Sequence, residues 1–171
     1  MVFFRFFEGF VCLGTVYLVW EWARYIPLIR DVVAPLGVAN YLDMSFMYGN
    51  SLPFVNAALV TICVTLGLMN LSRFAYLVAF LLVHLQFVAR FCLGAIPHGQ
   101  NMLGMTLLGL AVASALFSRP SDRRRFTLGF TYFFVGLGYT LAAVCKVIGT
   151  GFHWPNGLHL WMWIHEKGID V

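Results

Sequence analysis

Residues 118–146 read SRPSDRRRFTLGFTYFFVGLGYTLAAVCK. The first eight are aqueous in character, with Arg119, Asp122, Arg123, Arg124 and Arg125. The stretch Phe126–Cys145 then carries no Asp, Glu, Lys or Arg before Lys146 ends it. About 20 apolar residues are what a helix needs to cross a bilayer. An apolar run flanked by arginines on one side and a single lysine on the other reads as a transmembrane helix over about 126–148.

The rest of the chain has the same character. Of its 171 residues, 61% are hydrophobic, 17% aromatic and 11% charged. Mean hydropathy is +0.83. Ordinary soluble domains carry about 25% charged residues, so the composition argues against a soluble globular domain, and against a disordered chain. Further spans are expected at about 2–23, 53–70, 74–93 and 99–117. The fold class predicted is therefore an all-α polytopic integral membrane protein with about five helices. A short apolar segment, 158–164, follows, and 1–171 is read as one domain. The first run is longer than a signal-peptide core and ends in Trp20 and Trp22, so it reads as a retained helix with an interfacial tryptophan pair. Arg5 and Glu8 lie three apart on that helix. They either pair with each other, or Arg5 reaches the surface. The proline-containing 24–52 loop is long enough to expect a packed or functional role.

The formal net charge of +4 is concentrated in the 119–125 stretch, which points to membrane orientation rather than a nucleic-acid surface. With five spans, Arg5, Arg73, Arg119 and Arg123–Arg125 fall on one side, which the positive-inside rule makes cytoplasmic. The amino terminus is then cytoplasmic and the 24–52 loop outside, in what is expected to be a bacterial inner membrane. The partners expected are the bilayer and, in one reading, other membrane subunits; nucleic acid is not among them.

Ionisable residues within apolar helices are functional candidates by default. Lys146 is the foremost. A lysine beside so long an apolar run loses part of its hydration, and a poorly hydrated amine can serve as a general base. The bland alternative is a helix-end lysine reaching the headgroups. His98, Gln100, Asn101, His153, Trp154 and His159 fall on the same side and are candidate pocket residues. His84 is mid-helix: a ligand for a pigment or haem, or a hydrogen-bonding partner between helices. Arg90, near a helix end, is adequately explained by snorkelling. No cysteine or histidine spacing matches a metal motif, so no metal site is predicted. The four cysteines fall in apolar runs and read as small packing residues.

Three segments resemble one family. Tyr132–Lys146 followed by Trp154-Pro-Asn-Gly157 is similar to the signature of the HTTM (horizontally transferred transmembrane) family, which includes the membrane domain of vitamin K-dependent gamma-carboxylases. His98-Gly-Gln-Asn-Met-Leu-Gly104 resembles a helix-start segment of the same family, and FFRFFEGF, with Arg5 and Gly9, resembles its opening. The resemblance reaches the membrane domain and not the soluble carboxylase domain. It implies that Lys146 deprotonates reduced vitamin K or another quinone, whose oxyanion reacts with oxygen to become a strong base. It also implies that His98–Asn101 line the pocket. The competing function is a non-catalytic accessory subunit of a respiratory or photosynthetic complex. A transporter fits poorly, because no repeat of Gly/Pro-broken helices is present.

Overall fold

The structure is a computed structural model that describes residues 2–28, 37–92, 98–151 and 161. Among these residues every regular element is helical. Five α-helices run Val2–Tyr25 (α1), Leu52–Leu68 (α2), Ala75–Phe91 (α3), His98–Leu116 (α4) and Pro120–Thr150 (α5). Three short 3₁₀ turns lie between α1 and α2. Two helical stretches, Phe3–Leu28 and Pro120–Gly149, are long and apolar enough to cross a membrane. Leu52–Leu68, Ala75–Phe91 and Gln100–Leu116 are apolar but shorter. Of the 158–164 segment only Trp161 is among the described residues.

The chain divides into two compact units, Met1–Thr131 and Tyr132–Val171. In the first, α1 packs on α2 and α4, α2 on α3, and α3 on α4. The buried stripe of α1 runs through Glu8, Val11, Cys12, Thr15, Leu18, Val19 and Trp22, a three-to-four spacing that lays one face on its neighbours. The opposite face carries Phe3, Phe6, Phe10, Leu13 and Tyr17, all exposed. Both faces of α1 are thus apolar. Small residues let the backbones approach: Ala57 on α2, Ala79 on α3 and Ala111 on α4 are fully buried.

Local chemistry sets the helix ends. Asn70 adopts a left-handed backbone (φ 55°). Its N–H donates to Gly67 O and that of Leu71 to Leu66 O, both at 2.9 Å. That is the Schellman arrangement that closes a helix, here with asparagine in the position glycine usually takes. The α5 helix starts at Pro120 rather than near 126, so the arginine-rich stretch is its first two turns. Proline is favoured at a first helical position, and Asp122 in the first turn complements the helix dipole.

Residues 37–51, the described part of the long loop, fold back onto the bundle. Met44, Met47 and Tyr48 are buried with Trp22 and Phe87, and the Tyr48 hydroxyl donates to Ala89 O at 2.8 Å. Two hydrogen bonds from Ser45, backbone first, hold the exposed Asp43 carboxyl below its ordinary range. The tryptophan pair divides. Trp22 is 2% exposed and meets Phe87 edge-on at 5.2 Å, so it is a core residue and not an interfacial one. Trp20 is partly exposed and donates to Thr61 Oγ1 at 3.1 Å. Residues two apart on a helix point in different directions, so a shared belt was never available to both.

In the second unit, α5 continues through Lys146, and the side chains of 136–149 are exposed.

Candidate functional site

Polar chemistry in the first unit gathers at three places. At one end of the bundle, Glu8 is 4% exposed. Its Oε2 accepts from Arg5 Nη1 at 2.7 Å and its Oε1 from the Tyr76 hydroxyl at 2.7 Å. Arg5 Nη1 also donates to Leu68 O at 3.2 Å. A carboxylate taken out of water must be paired and hydrogen-bonded, and here three helices supply what it needs. Of the two sequence alternatives for Arg5, the ion pair is the one that forms, with the outer part of the guanidinium still half exposed.

At mid-bundle, Gln86 is fully buried on α3. Its Nε2 donates to Val19 O on α1 at 2.7 Å, and its Oε1 accepts from Asn56 Nδ2 on α2 at 2.7 Å. Asn56 Nδ2 also donates to Leu82 O at 3.0 Å. One amide thus ties three helices. Gln86→Leu strips both bonds and leaves Asn56 short of an acceptor. It is expected to cost about 1–2 kcal/mol, read as lower thermal stability of the detergent-solubilised protein. Asn56→Leu combined with Gln86→Leu is expected to recover part of the loss.

The third place is the α3–α4 interface. The His84 ring lies 4.5 Å from the Phe80 ring and 6.0 Å from that of Phe87. A Cβ on Gly104 would stand 3.9 Å from the imidazole. Gln100 is one helical turn before Gly104. The buried atoms His84 Nδ1 and Gln100 Oε1 both lack a hydrogen-bond partner among the described residues. The sequence placed the two residues in separate readings, a haem or pigment ligand and a pocket wall, and both carry a buried polar atom without a partner among the described residues.

Asn101 follows Gln100 in the first turns of α4, which opens at His98. His153, Trp154 and His159 lie outside the described residues. Lys146 is an exposed residue near the end of α5, in the second unit. Among the described residues no group of His, Cys, Asp or Glu could hold a metal ion.

A cleft of about 480 Å³ opens beside the Arg5–Glu8 pair. Arg123, Arg124 and Thr127 of α5 form one wall, and Phe4, Leu110 and Ala113 supply apolar surface. Arg123 Nε donates to Phe117 O at 2.7 Å and its Nη1 to Asn70 Oδ1 at 3.4 Å. These bonds join the α2–α3 turn to the start of α5, beside the Arg5–Glu8 pair of the amino-terminal helix. The sequence assigned those arginines to orientation only. Thr127, one hydroxyl in an apolar run, gave no signal at all.

Comparison with protein-family models, curated proteins and solved structures finds no match for this chain.

Proposed function

We propose that the chain is a polytopic membrane protein of about five spans. In this reading it is a relative of the HTTM family that acts on a quinone-like lipid, with Lys146 as the base. The supporting observation is the placement of charge on α5. Phe126–Cys145 is twenty residues, or about 30 Å of helix, the thickness of a hydrocarbon core. Arg123–Arg125 thus mark one membrane surface and Lys146 the other. The gathering of Arg5, Asn70 and Arg123 at one end of the first unit fits an arginine-rich cytoplasmic end with the amino terminus beside it. The exposed apolar faces of α1 and α5 fit lipid.

In this reading the Lys146 amine accepts the proton of a hydroquinone hydroxyl, leaving an oxyanion for reaction with oxygen. Lys146→Ala is expected to lower oxygen consumption of the nanodisc-embedded protein with reduced vitamin K by about 100-fold or more, the usual worth of a positioned base. Lys146→Ala that consumes oxygen like the wild type, or a wild type that consumes none, ends the enzyme reading.

The accessory-subunit reading draws on the exposed aromatic face of α1, with Phe3, Phe6, Phe10 and Tyr17, as surface for other helices. Stable co-migration with a multi-subunit complex on native gels supports it; a lone monodisperse protein counts against it.

A further inference from the structure

We infer that the arginine-lined cleft of the first unit holds the phosphate-bearing headgroup of an anionic lipid, with its acyl chain lying along the outer face of α1. This rests on the membrane reading above and is independent of Lys146.

The electrostatics come first. Three guanidiniums, those of Arg5, Arg123 and Arg124, line the cleft against one carboxylate, Glu8. That carboxylate is already neutralised by Arg5 and bonded by Tyr76. The guanidiniums are not used up by the fold. Arg5 spends only Nη1 on its two bonds, and Arg123 spends Nε and Nη1. Arg124 makes no hydrogen bond or ion pair with the described residues. The remaining forked N–H groups suit phosphate oxygens, which arginine binds in pairs.

An independent observation is Thr127. Its side chain is fully buried and lines the cleft, yet its Oγ1 has no hydrogen-bond partner among the described residues. A buried hydroxyl left unpaired costs free energy. A ligand oxygen in the cleft would remove that cost. The nearby Asp122 does not line the cleft and forms no ion pair with its arginines.

The shape argues for a lipid rather than a free anion. Arg5 lines a second depression of about 540 Å³, whose other walls are Phe6, Phe7, Gly9, Phe10 and Leu13. Phe6, Phe10 and Leu13 are spaced i, i+4, i+7 and are all exposed. They form an apolar track that begins at the arginine and runs along α1. A charged head beside a hydrocarbon track is the outline of a phospholipid, and the arginine-rich end faces the leaflet where anionic lipids concentrate.

The test uses the full chain purified in mild detergent. Phosphatidylglycerol is expected to raise the wild-type melting temperature by several degrees, whereas phosphatidylcholine and inorganic phosphate leave it unchanged. Arg123→Gln combined with Arg124→Gln is expected to weaken phosphatidylglycerol binding at least tenfold, and Thr127→Val several-fold. Arg73→Gln, which removes one positive charge outside the cleft, is expected to have no effect. Because the melting shift is read on the unaltered protein, the inference is testable even if a variant fails to fold. Equal stabilisation by phosphatidylcholine overturns it, as does an equal loss in Arg73→Gln. Stabilisation by inorganic phosphate alone overturns the lipid assignment. Recovery of the chain outside the membrane fraction would instead remove the membrane reading on which the inference stands.

Discussion

Glu8→Leu is expected to cost about 2–4 kcal/mol, read as an unfolding midpoint in mixed-detergent denaturation. The change removes the acceptor of the Tyr76 hydroxyl, which belongs to a side chain only 2% exposed. The other group at that hydroxyl is the buried Cys12 thiol, a weak acceptor that does not replace a carboxylate. The Arg5 end matters less, since that side chain is half exposed and can turn outward. The conservative variants separate the two contributions. Glu8→Gln keeps an oxygen for Tyr76 and loses only the charge, so about 1 kcal/mol is expected. Tyr76→Phe removes one hydrogen bond to a charged group, worth about 1.5–3 kcal/mol. Glu8→Leu together with Tyr76→Phe leaves no orphaned hydroxyl and should recover much of the single-mutant loss, because apolar replacement of a whole buried polar pair is tolerated far better than removal of one partner. A Glu8→Leu protein as stable as the wild type would show that the Tyr76 hydroxyl finds another acceptor and that the cluster does not hold α1 against α3.

The helices were legible because their signals are local. The uncharged run 126–145, the loop residues around Pro53 and the Asn70 turn each mark an end or a length without reference to the rest of the chain. Which face of a helix meets protein was not legible. On α1 the buried Val11, Leu18 and Trp22 and the exposed Phe10, Leu13 and Tyr17 are equally apolar, so periodicity cannot tell the core side from the exposed one. That is why Trp22 was grouped with Trp20. The polar ties share a different difficulty. The spacing of Arg5 and Glu8 offers a pair as one of two readings, but Tyr76 lies 68 residues from Glu8 and Gln86 lies 67 from Val19. Only the packing of α3 on α1 brings them together. For the same reason the arginines of α5 were read as an orientation signal, while the cleft they form with Arg5 and Thr127 could emerge only from the fold. Lys146 was singled out by its sequence neighbours, and the fold describes it as an exposed residue near the end of α5.

Gly67→Ala should also destabilise the protein, although it adds only a methyl group. A Cβ at Gly67 would lie 2.6 Å from Tyr76 Cε1, 2.7 Å from Cζ and 2.8 Å from Cδ1, distances real side chains do not show. The ring cannot swing clear, because it is buried and its hydroxyl is anchored on Glu8. The methyl must therefore push α2 off α3. Overpacking of this kind costs about 1–3 kcal/mol, which outweighs the roughly 1 kcal/mol that alanine gains over glycine as a helix former. Gly67→Val should cost more. Two comparisons isolate the mechanism. At Gly129, on α5, nothing lies within 4 Å of the added Cβ, so Gly129→Ala should be neutral or slightly stabilising. At Gly109 the added Cβ would meet the half-buried Phe130 ring at 2.8 Å. That ring has no hydroxyl to anchor it, so it can give way, and Gly109→Ala should fall between the other two. The decisive measurement is Gly67→Ala in a Tyr76→Leu background. With the ring gone, the alanine should cost little or nothing beyond the Tyr76 change itself. An undiminished penalty there would place the constraint in the α2–α3 backbone approach instead of the anchored tyrosine.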